Sequence, residues 1–129
     1  MTKHIRGSSG VSVVEFALVL PVLIAILLGI MDYGWVFFTR LTMTNAAREG
    51  ARVGVTRNAG AASGDAVDAA QDYLDAAGLS AAVTATTPSD ADPRVIVTVT
   101  VDPFVPLVGF VPTPDDMQVT STMRWELAP

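Results

Sequence analysis

Cysteine is absent from this 129-residue chain, and histidine occurs once, at His4. Without thiols there are no disulfides, thiolate nucleophiles or Cys/His zinc sites, and a lone imidazole gives little support to a Ser–His–Asp triad. Charge is also sparse: only 16% of residues are Asp, Glu, Lys or Arg, and the acids outnumber the bases 13 to 8. A net charge of −5 argues against a nucleic-acid partner, which requires a basic face to displace counterions from phosphates. The acids are dispersed rather than convergent, so no enzymatic activity, cofactor, metal or small-molecule substrate is expected.

The apolar half of the composition is concentrated at one end. Residues 11–38 read VSVVEFALVLPVLIAILLGIMDYGWVFF, with Glu15 and Asp32 the only ionisable side chains. As a helix this stretch reaches ~42 Å, against ~30 Å for the hydrocarbon core of a bilayer. The rest of the chain is too short and polar to wrap it, so a single transmembrane helix is expected, with membrane lipid as its surroundings. Tyr33 and Trp35 suit an interfacial aromatic anchor. Lys3 and Arg6 precede the run with no acid before Glu15, which favours a cytoplasmic N-terminus and an extracytoplasmic C-terminal part. Arg40, Arg48, Arg52 and Arg57 weaken that contrast. A cleaved secretory signal is disfavoured, because the run is long and Gly29-Ile30-Met31 before Asp32 lacks a small-x-small site.

Gly10 stands directly before the apolar run and opens the pattern G-x-x-x-x-E-F, ending in Glu15-Phe16. With EFALVLP, LLGIMDYG and NAAREGARVG following in order, the stretch from about Arg6 to Gly54 resembles the TadE-like family of minor pilins, or pseudopilins, of the tight-adherence (Tad/Flp) pilus machinery. The resemblance implies a structural, non-enzymatic subunit anchored in the bacterial inner membrane, its head periplasmic. It implies a cytoplasmic leader over residues 1–10, cut by a prepilin peptidase after Gly10 to leave Val11 as the new N-terminus. Other pilin-like subunits and the pilus assembly platform are the further partners implied.

Within that family reading, Glu15 becomes the fifth mature residue and compensates the α-amine of a neighbouring subunit, with Phe16 beside it. A glycine at the scissile position admits a peptidase without side-chain collision, and an unpaired carboxylate in lipid is costly. Spacing alone leaves open that Glu15 merely snorkels to the headgroups; the resemblance favours assembly. Pro21 lacks a backbone donor and clashes with the carbonyl of Ala17, so a kink is expected there. Asp32 is expected at the outer headgroups, with contact to a partner helix as the alternative. The rival to the whole reading is an unprocessed single-pass inner-membrane adaptor or periplasmic binding protein.

Beyond the span, residues 39–57 are expected to continue as a stem helix with a shallow apolar stripe at Leu41, Ala47, Ala51 and Val55. The small residues Ala47, Gly50, Ala51 and Gly54 permit close packing, with the stem folded against its own head. Residues 58–64 (NAGAASG) read as a breaker-rich linker. A helix follows over Asp65–Ala77, capped by Ser63 or Asp65 and ended by Gly78, with Val67, Ala70, Leu74 and Ala77 on one face. Its aspartates at 65, 68, 72 and 75 form a solvated face, since a straight helix does not converge oxygens on calcium. Strands are expected near 82–87, 95–101 and 119–125, making residues 65–129 a small α+β head with an antiparallel three-stranded sheet. Between the last two strands runs the apolar, proline-broken segment DPFVPLVGFVPTPDDM. Self-packing is the preferred role for its Phe104 and Phe110, and contact with the membrane or a partner subunit is the alternative.

Overall fold

One 47-residue helix, α1 (Ser9–Val55), runs through the computed structural model of the chain; at 1.5 Å per residue it is about 70 Å long. The structure describes residues 9–89, 91–102, 106–107 and 117–124. After α1 come α2 (Ala59–Ala76) and three strands, β1 (Ala82–Ala85), β2 (Arg94–Val101) and β3 (Met117–Arg124). The strands form one antiparallel sheet in the order β1-β2-β3. The expected α+β architecture is present: a long apolar helix, a second helix and a three-stranded sheet packed together.

The segment expected as a linker is instead the start of α2. Asn58 adopts an extended conformation (φ −63°, ψ 146°) at the N-cap, and its carbonyl accepts the Ala61 and Ala62 N–H groups at 2.9 and 3.0 Å. Neither Ser63 nor Asp65 is the N-cap, and Asp65 pairs with Arg57 at 3.0 Å. The weak propensity of Gly60 and Gly64 is overridden because Ala62 and Ala66 are fully buried against α1. The C-terminus ends as expected. Gly78 has φ +71°, the Leu79 N–H bonds to the Leu74 carbonyl and the Gly78 N–H to that of Asp75, each at 3.0 Å. This pattern closes a Schellman motif, with Leu79 and Leu74 both buried beside it.

The two helices meet through small residues. A Cβ added at Gly50 would lie 2.5 Å from the Ala66 carbonyl oxygen and 3.0 Å from the Ala70 Cβ. One at Gly54 would lie 3.1 Å from both the Ala62 oxygen and the Ala66 Cβ. The buried stripe of α1 is therefore Met43, Ala46, Ala47, Gly50, Ala51 and Gly54. Leu41, expected in that stripe, is 64% exposed. Steps of three and four from Met43 keep the others on the head side, whereas Leu41 falls on the opposite side of the cylinder.

Val95, Val97 and Val99 of β2 are fully buried, alternating with half-buried Ile96, Thr98 and Thr100. The strand pairs over its whole length with β3, from Arg94–Arg124 to Val101–Met117, and with β1 from Thr100–Ala82 to Val97–Ala85. In β3 the inward side is Met117, Val119, Ser121 and Met123. Val95 Cγ1 faces Gly54, and Val97 Cγ1 faces Gly50. As β2 advances two residues, its contact on α1 thus retreats four. At about 3.3 Å per strand residue and 1.5 Å per helix residue the two rises agree. So β2 runs antiparallel to α1, back toward the helix's apolar end.

Candidate functional site

Every described residue from Gly10 to Ile24 is exposed, the reverse of what a soluble core helix shows. The bare part continues to Met31, with Val11, Val13, Phe16, Leu18, Val22, Leu23, Ile26 and Ile30 all open. From Gly10 to Met31 the helix rises about 33 Å, matching a hydrocarbon core of about 30 Å. It is the one helix among the described residues that is long and apolar enough to cross a membrane, and it is consistent with a single anchor.

The candidate assembly residues occupy this bare part. Gly10 and Val11 lie in the first turns of α1, and among the described residues nothing beyond the local helix backbone stands within 4 Å of a Cβ built on Gly10. Glu15 and Phe16 are exposed one turn further on. Val11 and Glu15 are four apart, so both lie on the same side of the helix. Pro21 is exposed and sits inside an unbroken α1.

Where the head begins, the character of α1 changes. Asp32 is only 1% exposed, and its Oδ1 accepts the backbone N–H of Leu107 at 3.1 Å. The contact is with the chain's own backbone, a partner that neither expectation for Asp32 included. Burial makes an internal partner necessary, and the segment leaving β2 supplies one. Thr39 and Thr42 are buried on the same part of α1; Thr42 donates to the Phe38 carbonyl at 2.9 Å. The anchor residues Tyr33 and Trp35 are half-exposed, and the Trp35 ring lies 5.7 Å from that of Phe38. Phe104 and Phe110 lie outside the described residues, as does Trp125.

Electrostatics on the head are local and exposed. Two hydrogen bonds from the Arg52 guanidinium hold the Glu49 carboxyl below its usual range, and Arg94 does the same to Asp92. A hollow of about 320 Å³ is lined by Ser80, Ala81, Ala82, Thr100 and Asp102, with one carboxylate and no base opposite it. Among the described residues, no group of three His, Cys, Asp or Glu side chains is placed to hold a metal ion.

Sequence reasoning found the bare span and the small-residue stripe but missed the role of Asp32. The signal available was an acid at the end of an apolar run with an apolar loop elsewhere in the chain; nothing in the spacing joined the two. Compared with known families, residues 10–52, one third of the chain, match the family described as TadE-like protein, which is associated with Tad pilus assembly. The match begins at Gly10 and takes in the bare helix and most of its contact stripe with the head. No curated protein and no solved structure matches the chain.

Proposed function

We propose that this chain, a member of the TadE-like family by its residues 10–52, is a minor pilin or pseudopilin of a tight-adherence pilus system, a structural subunit with no catalytic role. The observation that carries the reading is the division of α1 into a bare apolar half and a half clothed by the head. A soluble protein does not leave some 33 Å of apolar helix open to water. Lipid satisfies that surface before assembly, and neighbouring helices satisfy it afterwards.

Prepilin peptidase cuts after Gly10 on the cytoplasmic side, and the head stands in the periplasm. Cleavage creates an α-amine on Val11, one turn below Glu15. In the membrane both charges need partners, and the Glu15 side chain stands exposed on the isolated subunit. A sister helix whose amine lies beside Glu15 neutralises both and sets the axial stagger between subunits. The adjacent Phe16, 61% exposed, then packs between helices.

Intact mass and N-terminal sequencing of the chain extracted from its native membrane test this reading. The expected mature chain begins at Val11, and Gly10→Val keeps the full length and abolishes incorporation. Glu15→Gln is expected to be processed normally but to fail in assembly. A mature chain that retains its first ten residues in cells that build pili overturns the proposal in favour of an unprocessed adaptor.

A further inference from the structure

The exposed apolar residues do not stop where the head begins: they continue over about 12 Å of α1, from Tyr33 to Leu41. Phe37 is 72% exposed, and Tyr33, Trp35, Phe38 and Leu41 are also open. Near their lower end, at Asp32, stands Leu107, an aliphatic side chain 67% exposed although its backbone N–H is held by Asp32. The backbone of this leucine is fixed by a hydrogen bond while its side chain stands open.

The topology explains why Leu107 stands at that level. β2 descends along α1 toward the bare half, with Val97 beside Gly50. Its last residue, Val101, lies four positions further on, about 13 Å lower, level with roughly residue 41 of α1. The chain leaving β2 therefore emerges on the side of the head that faces the bilayer, and by residue 107 it has reached Asp32. Helical side chains slant toward the N-terminus, so the Asp32 carboxyl lies over the turn before it, nearer the bare half. On that face Leu28, one turn below Asp32, is already half-covered, while Leu27 and Ile30 beside it are open. If the bare residues Gly10 to Met31 fill the hydrocarbon core, the Asp32–Leu107 contact falls at its outer boundary.

We propose that the head carries a second membrane contact. Leu107, tethered by Asp32 at the level of Tyr33 and Trp35, enters the outer headgroup layer and seats the head directly on a phospholipid surface. The occupant is lipid because the patch is continuous with the lipid-facing surface of the span. Its aromatic composition is that of an interfacial belt. The inference rests on the membrane-anchored reading above. Its consequence is mechanical: a head seated on the bilayer fixes the tilt and rotation of α1, and leaving the membrane breaks this contact as well as the span's.

The full chain contains no native cysteine, so single-cysteine variants carry one label each. Leu107→Cys, Leu23→Cys and Tyr73→Cys, labelled with an environment-sensitive fluorophore, are reconstituted in phosphatidylethanolamine–phosphatidylglycerol vesicles. Quenching by nitroxides placed near the top of the lipid acyl chains is compared with quenching by aqueous iodide. The expected result is loss of emission at position 107 with the lipid nitroxide and protection from iodide. Position 73, exposed on α2, is expected to show the reverse. If position 107 is quenched by iodide while position 23 is quenched by lipid, the head contact is wrong and the anchor stands. If position 23 is also open to iodide, the anchored reading fails with it. Protection of position 107 from both quenchers means that protein covers it, which overturns the lipid contact.

Discussion

Replacing Gly50 with alanine tests the helix pairing that joins anchor to head. In an ordinary helix interior the change is stabilising, by about 0.8–1.0 kcal/mol. Here the new methyl would lie 2.5 Å from the Ala66 carbonyl oxygen and 3.0 Å from the Ala70 Cβ. The nearer obstacle is backbone and cannot rotate aside, so α2 must move away, loosening the Gly54 contacts with Ala62 and Ala66 as well. Overpacking of this kind costs about 1–3 kcal/mol, and a backbone collision belongs at the upper end, leaving a net loss of about 2 kcal/mol. Gly64→Ala is the matched control, since among the described residues nothing beyond the local helix backbone stands within 4 Å of its added Cβ, and it should gain up to about 1 kcal/mol. The two variants should therefore differ by about 3 kcal/mol, more than 10 °C in melting temperature for a head of this size. Thermal denaturation of the full chain in detergent, followed by circular dichroism, reads the difference. If Gly50→Ala stabilises as Gly64→Ala does, the close approach of α1 and α2 is refuted.

Other substitutions probe separate parts of the account. Gly78→Ala forces a Cβ into the left-handed conformation at φ +71° and should cost about 1–2 kcal/mol by the same melting assay. Val97→Ala removes two fully buried methyl groups against Gly50 and should cost about 2–3 kcal/mol of unfolding free energy in urea titrations. Asp32→Ala withdraws the acceptor from the Leu107 N–H and should cost about 1–3 kcal/mol, whereas Asp32→Asn, which keeps an oxygen there, should lose less. The Glu49 carboxyl has a lowered folded-state pKa, so its pairing with Arg52 stabilises fully above the ordinary value of 4.5 and is lost as pH falls through the lowered one. Glu49→Gln should thus slightly flatten the acid limb of a stability–pH curve, and the difference should shrink in high salt because both side chains are exposed.

Much of this arrangement is legible in the sequence because periodicity and composition act locally. The alternation of Val95, Val97 and Val99 with Ile96, Thr98 and Thr100 is enough to orient β2, and Gly78 announces the end of α2 by its conformational freedom. Gly50 and Gly54 were readable as sites of close approach because only small residues allow it. Residues 58–64 were not legible, since the turn at Asn58 and the burial of Ala62 against Gly54 outweigh the weak helix propensity of Gly60 and Gly64. Leu41 misled for a related reason: apolarity alone does not say whether a residue faces the head or points away from it, and only the position of the head on α1 decides. The pairing of Asp32 with Leu107 spans 75 positions and involves a backbone donor that leaves no mark on side-chain pattern.

The central claim is that α1 is divided between lipid and periplasm near Asp32. A cysteine scan along α1 in intact cells, using a membrane-impermeant maleimide applied from outside after permeabilising only the outer membrane, tests it most directly. Labelling is expected at Arg48 and Arg52, on the exposed face beyond the head's first contacts, and not from Phe16 to Leu28. Equal labelling at Phe16, Leu23 and Arg48 would contradict the claim.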